Sequence, residues 1–385
     1  MKRKNVLDIL AAARPADLDL AGTSPLRAEE LPAPVRARRA RWVVVAASLA
    51  TVSVIGAVAI PRLMYAGTAT PSMVASTGHT LDGAADRAAE TRQAPGDYWH
   101  TEGLILQEQV IGPPDGRYRI RTRIETSRWA PRDPGPYVVL TERGLPTVPT
   151  SPSDQEAWRR AGAPELCGDD TDCENDTAPL GRTRFIFMPG TWPYHDQGLT
   201  LSAGELLDLP RDPAVLKERL LSFWSAYEAG MAGWPAPPAG ASLPTKDSWL
   251  LTLSLELLQT APISGGTRAA LYRMVADLPG TRALGQVRDA GGRLGVGVGW
   301  ARPQGDGQSE QQLIVDESTG QVLSLQHVVV KPWSKDSGDE GLAGLPAGTV
   351  YHALVYQRAT WTDTPPEIPA HCPVPRQGAR EDCVE

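Results

Sequence analysis

Four arginines at alternate positions of one predicted strand are the strongest candidates for contact with an anion. They are Arg117, Arg119, Arg121 and Arg123, and they alternate with Tyr118, Ile120, Thr122 and Ile124. Because successive side chains of a strand point to opposite faces, the four guanidinium groups share one face. Guanidinium groups bind phosphate and carboxylate groups, so lipid headgroups or wall polymers are candidate partners. The alternative is a solvated face that Glu102, Glu108 and Glu125 neutralise.

The four cysteines predict disulfide bonds. Cys167, Cys173, Cys372 and Cys383 all follow the apolar segment described below. An even number of cysteines outside the cytosol is typical of structural disulfides. Three pairings are open, and local pairing within 167–173 and within 372–383 closes the shortest loops. The spacing matches neither a zinc site nor a C-x-x-C redox motif, so we expect no metal and no cofactor.

Three glycines, Gly295, Gly297 and Gly299, alternate with Leu294, Val296, Val298 and Trp300. The G-x-G-x-G spacing differs from the G-x-G-x-x-G loop of dinucleotide-binding folds, and it lies inside a predicted strand. A strand with glycine at every second position has one bare face that a helix or a ligand can approach closely. We favour helix packing, with ligand contact as the compatible alternative.

Catalytic motifs are missing from the sequence. Six histidines lie at 79, 100, 195, 327, 352 and 371 without the spacing of metal ligands. Acidic residues around Cys173 lack the glycine and the distal glutamate of an EF-hand loop, so a solvated loop is preferred to a calcium site. We therefore expect no enzymatic activity. The net charge of −7 argues against a nucleic-acid-binding protein.

The elements that position these residues begin with a membrane anchor. Residues 42–60 carry no charge, and their 19 positions match the roughly 30 Å thickness of the hydrocarbon core. Four arginines precede the segment (Arg36, Arg38, Arg39 and Arg41), whereas Arg62 alone follows closely. The positive-inside rule places the N-terminus in the cytoplasm and the C-terminal domain outside the cell, and Trp42 lies at the interface. A cleaved signal peptide is the alternative, which the long preceding segment disfavours.

The remaining chain divides into four predicted parts. Residues 1–41 form a largely disordered cytoplasmic tail, and residues 66–95 form a stalk with a helix near 81–92. Residues 96–360 form the extracytoplasmic domain, and residues 361–385 form a C-terminal tail that carries two of the cysteines.

An α+β domain with an antiparallel sheet is predicted, because two groups of strands flank a helical block. Strands are expected at 98–111, 117–129, 137–141 and 183–188, and again at 281–288, 293–301, 311–317, 321–330 and 349–357. Helices are expected near 153–160 and at 212–230, 247–260 and 267–278, and turns at 289–292 and 316–320.

The chain resembles an uncharacterised family of single-pass membrane proteins from high-GC Gram-positive bacteria. The resemblance rests on the arginine-rich anchor and on residues 212–221, 267–280, 287–298 and 313–323. It implies the topology and no chemistry. The order of elements is also similar to the half-barrel folds of periplasmic lipoprotein carriers and of the outer domains of sigma-factor regulators. In those folds a curved antiparallel sheet wraps over helices and can hold an apolar ligand.

Three functional hypotheses follow from these patterns. The leading one is a membrane-anchored, extracytoplasmic, non-enzymatic binding or sensory module for a lipid or another apolar ligand. The second is an anti-sigma-like signalling protein whose cytoplasmic tail binds a cytosolic partner. An extracellular enzyme acting on the cell wall ranks last.

Overall fold

The computed structural model describes residues 80–133, 137–166, 179–189, 192–194, 199–231, 244–335, 341–372 and 381–385. Several predictions lie outside these residues: the cytoplasmic tail, the span at 42–60 with its flanking arginines, residues 66–79 of the stalk, and the pair Cys167 and Cys173. No helix of the described residues is long and apolar enough to cross a membrane.

A ten-stranded antiparallel sheet that does not close dominates an α+β fold. Its strands are β1 (Tyr98–Ile111), β2 (Tyr118–Pro131), β3 (Tyr137–Pro149), β4 (Thr183–Pro189), β7 (Arg282–Arg288), β8 (Leu294–Gln304), β9 (Gly307–Val315), β10 (Val322–Lys331), β11 (Val350–Thr362) and β12 (Glu381–Val384). The strand order is β12-β4-β3-β2-β1-β11-β10-β9-β8-β7. Strands β5 (Trp192–Tyr194) and β6 (Leu199–Leu201) form a separate pair.

Seven helices accompany the sheet in the described part of the chain. They are α1 (Asp82–Glu90), α2 (Pro152–Arg160), α3 (Ala203–Leu207), α4 (Pro213–Leu221), α5 (Trp224–Met231), α6 (Lys246–Thr260) and α7 (Gly265–Ala276).

Local signals explain where several helices begin. The carboxylate of Asp212 accepts hydrogen bonds from the backbone N–H groups of Ala214 and Val215, so it caps α4 at its N-terminus. Ser202 and Glu205 form a capping box at the start of α3. These caps satisfy N–H groups that have no partner inside the helix.

The main core lies between the helices and one face of the sheet. Leu250, Leu253 and Leu257 of α6 are fully buried in the same cluster as Val298 and Leu313 of the sheet. We call the face that carries Val298, Leu313 and Leu354 the helix-side face. The opposite face is covered near β3 and β4 by a smaller cluster that includes Cys372. The helix-side face therefore supplies the main hydrophobic stabilisation.

The predicted stalk needs correction at its C-terminal end. Helix α1 belongs to the folded domain, because Ala84, Ala85 and Ala88 are fully buried in the main core. Small alanine side chains let α1 pack closely on α7, and Arg273 of α7 pairs with Asp86.

The C-terminal boundary and one helix also differ from the prediction. Strand β11 continues to Thr362, and β12 pairs with β4, so the segment after residue 360 contributes to the sheet. The helix expected at 212–230 is two helices. Ser222 ends α4, and its hydroxyl donates a hydrogen bond to the carbonyl oxygen of Arg219 at 2.6 Å.

Candidate functional site

A row of polar side chains crosses the helix-side face. Gln107 of β1 lies opposite His352 of β11, and His352 lies opposite His327 of β10. His327 in turn lies opposite Gln311 of β9. Thr122 of β2 and Trp300 of β8 end the row, which thus spans six adjacent strands. We call these six residues the polar row: Thr122, Gln107, His352, His327, Gln311 and Trp300.

An apolar row runs beside the polar row, two residues away on every strand. It consists of Ile124, Ile105, Leu354, Leu325, Leu313 and Val298. Because side chains two positions apart share a face, both rows lie on the helix-side face. The helices pack on the apolar row, whereas Gln107, His327 and His352 of the polar row are only half-buried. The polar row therefore borders the helical layer and keeps contact with solvent.

The two histidines of the polar row lie side by side. Their ring centroids are 5.7 Å apart, and the rings are nearly perpendicular. Burial lowers the pKa of His327 to about 3, with further contributions from His352 and Arg302. Burial also lowers the pKa of His352. Both imidazoles are therefore neutral at pH 7, and each offers one hydrogen-bond donor and one acceptor.

Arg302 supplies a cation whose charge acts on His327. Its Nε and Nη2 atoms donate hydrogen bonds to Oε1 of Gln311 at 3.1 and 2.6 Å. Burial lowers the pKa of Arg302, and the neighbouring Tyr351 side chain acts in the opposite direction. Amide, imidazole and guanidinium groups together can bind a ligand through hydrogen bonds on one side of the row.

No motif or spacing in the sequence predicted this site. His327 and His352 are 25 residues apart, and the pairing of β10 with β11 brings them together. Each histidine lies two positions from an apolar-row residue, and that alternation was visible in the sequence. The register between the two strands was not.

The four predicted anion-contact arginines lie on the opposite face of the sheet. Arg119 pairs with Glu108 at 3.3 Å and with Asp154 of α2 at 3.2 Å, and Arg121 pairs with Glu108 at 2.9 Å. Arg123 donates to the carbonyl oxygen of Pro146, and Arg117 donates to that of Val110. These contacts favour the neutralised-face alternative for Arg119 and Arg121. Of the three predicted acidic partners, Glu108 pairs with two of these arginines. Glu125 pairs instead with Arg143, and Glu102 with Arg358.

The glycine strand is covered by its neighbouring strands. A Cβ atom on Gly297 would lie 3.0 Å from Val287 of β7, and one on Gly299 would lie 2.7 Å from Glu310 of β9. One on Gly295 would lie 2.5 Å from the carbonyl oxygen of Val315. Val298 and Trp300 face the helices instead. The preferred helix-packing interpretation therefore needs correction, because the nearest described atoms belong to β7, β9 and β10.

Cys372 and Cys383 form a disulfide, as the local pairing predicts. The bond joins the loop after β11 to β12 and packs with Phe185 and Phe187 of β4. His371 lies next to the two sulfur atoms. Sulfur atoms that are joined in a disulfide are not thiolate ligands, so this group has a structural role.

No family model, curated protein or solved structure matches the chain.

Proposed function

We propose that the chain is a membrane-anchored, extracytoplasmic, non-enzymatic binding or sensory module whose ligand contacts the polar row. In this proposal residues 42–60 span the membrane, and the open sheet curves over its helices as a half-barrel. The resemblance to a single-pass membrane family and the excess of arginine before the span support that topology.

The histidine pair carries the proposal. His327 and His352 keep accessible surface, yet desolvation is the largest cause of the lowered pKa of each. Polar groups that are accessible and strongly desolvated are typical of concave binding sites. Imidazoles whose pKa is lowered so far are weak bases, so they suit hydrogen bonding to a ligand better than proton transfer at pH 7.

The two rows also indicate which kind of ligand fits this face. Leu313 and Val298 of the apolar row are fully buried by the protein's own packing. Four side chains of the two rows are half-buried, and three of them are polar: Gln107, His327 and His352, beside Ile105. A ligand with hydrogen-bonding groups, such as the head of a lipid, therefore fits this face better than a purely apolar molecule.

Native mass spectrometry of the full-length chain, extracted in an uncharged detergent, tests the proposal. We expect the wild type to carry a co-purifying molecule of defined mass and the His327→Leu/His352→Leu variant to lose it. His371→Leu is the matched control, because His371 is exposed and lies near the disulfide.

Two results would overturn the proposal. One is the same bound mass on the double variant, with an unchanged melting temperature. The other is a ligand-free wild type that also fails to take up lipid from an added polar lipid extract. If the double variant unfolds, the single variant His352→Gln keeps a hydrogen-bonding side chain and gives the same comparison.

A further inference from the structure

A cavity lies where α1 ends and α7 begins, beside the first residues of β1. Its volume is about 250 Å³, and Arg92, Trp99, Gly265, Arg268 and Thr360 are among its lining residues. A Cβ atom on Gly265 would lie 2.3 Å from the carbonyl oxygen of Ala88, so the two helix ends are in direct contact. This cavity is separate from the polar row.

Arg268 is a buried cation at this cavity. Its exposure is 4%, yet no carboxylate of the described residues lies within ion-pair distance of its guanidinium group. Nη1 donates a hydrogen bond to the carbonyl oxygen of Leu258 at 3.3 Å, and the Tyr272 hydroxyl is a second partner. A guanidinium group has five N–H donors. Burying a cation without a counter-charge is costly, and an anion bound at the cavity would supply that charge.

Further groups at the cavity favour an anion. The indole N–H of Trp99 is buried and has no hydrogen-bond partner among the described residues, whereas that of Trp361 donates to Gln93. Arg92 lines the cavity and is exposed. The cavity also adjoins the N-terminus of α7, where the helix dipole favours negative charge.

We propose that this cavity binds a compact oxyanion, a phosphate or carboxylate group, with Arg268 as its principal counter-charge. The volume of about 250 Å³ is large enough for a phosphate or a carboxylate group. It accepts a small anion, or the anionic end of a larger molecule whose remainder stays outside. A free metabolite and a lipid headgroup supply the same chemistry.

Isothermal titration of the full-length chain in uncharged detergent micelles, with inorganic phosphate and with acetate as probes, tests the site. We expect Arg268→Gln to weaken binding roughly tenfold to a hundredfold, because a hydrogen bond to a charged group is lost. Trp99→Phe removes one neutral donor and should weaken binding by roughly fivefold. Arg160→Gln, an exposed arginine of α2, is the charge-matched control and should leave binding unchanged.

A second arm distinguishes the two sources of the anion. The chain is reconstituted in nanodiscs of phosphatidylcholine alone or with phosphatidylglycerol. Loss of phosphate binding only in the phosphatidylglycerol discs identifies a lipid headgroup, and unchanged binding in both identifies a free anion. Each outcome supports the site.

The proposal is overturned if neither probe nor phosphatidylglycerol binds the wild type. It is also overturned if Arg268→Gln binds as tightly as the wild type. Should Arg268→Gln unfold, Arg268→Lys and the exposed Arg92→Gln provide the comparison. Native mass spectrometry of Arg268→Gln should still detect the molecule bound at the polar row. Failure of one proposal can therefore be distinguished from failure of the other.

Discussion

At the scale of single residues, histidines should make the stability of this fold depend on pH. Burial lowers the pKa of His327 to about 3, and burial and Arg358 lower that of His100 to about 4, from an ordinary value of 6.5. His100 is also stacked on Trp129, with ring centroids 4.3 Å apart, and its Nε2 lies 2.8 Å from the Ser127 hydroxyl. Both rings are thus held in the neutral form by the folded state.

We predict that the free energy of unfolding decreases as the pH falls below 6.5. Between pH 6.5 and about 4 the unfolded chain binds protons that the folded chain does not, so unfolding becomes easier toward acid. Each such histidine contributes a slope of up to about 1.4 kcal/mol per pH unit. Urea denaturation at pH 7, 6 and 5 measures the free energy of unfolding at each pH.

Replacing one histidine provides the control for this prediction. His327→Gln should flatten the pH dependence, whereas His371→Gln, at an exposed position, should leave it as in the wild type. Equal slopes in all three proteins would show that burial of His327 does not control the acid response.

At the scale of elements, the junction of α1 with α7 depends on one glycine. A Cβ atom on Gly265 would lie 2.3 Å from the carbonyl oxygen of Ala88 and 2.8 Å from that of Thr91. Both neighbours are backbone atoms, so they cannot move without displacing α1. The adjacent Gly266 differs, because its nearest neighbour is the flexible side chain of Arg211 at 2.7 Å.

Gly265→Ala should therefore destabilise the protein by about 2 kcal/mol, as overpacking of a core does. Gly266→Ala is the matched control and should change stability little or increase it, because alanine favours helix more than glycine does. Thermal unfolding measures the melting temperatures of the two variants, and that of Gly265→Ala should be the lower. Equal melting temperatures would mean that α1 shifts freely on α7.

Elements with local signals could be predicted from the sequence, and those without could not. The hairpin of β1 and β2 follows from alternation and from its turn, and Asp212 with Pro213 marks the start of α4. The capping box of Ser202 and Glu205 is a local signal for the start of α3, although no helix was predicted there. Strand β12 has four residues, and only its pairing with β4 defines it.

The whole molecule depends on pairings between distant segments. Strand β1 pairs with β11 across more than 200 residues, and this contact joins the two halves of the sheet. Alternation tells which face each residue occupies but not which strand lies beside it. For this reason the α+β class was predicted correctly, whereas the polar row and the Arg268 cavity required the register.

At the scale of the whole molecule, we predict which side of the membrane the C-terminal domain lies on. The proposed topology predicts that added protease digests the C-terminal domain on intact cells, because an excess of arginine before residue 42 favours a cytoplasmic N-terminus. Replacing Arg36, Arg38, Arg39 and Arg41 by glutamine should produce a protected fraction. Replacing Lys2 and Lys4, which are far from the span, should not. Full protection of the wild-type domain would refute the topology.

Among the described strands, β7 and β12 lie at the two edges of the open sheet, and both are poor templates for another chain. Strand β7 has exposed arginines, Arg282 and Arg288, and its register shifts between Ala283 and Gly285. Strand β12 is only four residues long, and the disulfide between Cys383 and Cys372 ties it to the loop after β11. Short, charged or irregular edges resist strand addition. Copies crowded together on one surface would therefore stay separate instead of merging into a continuous fibre.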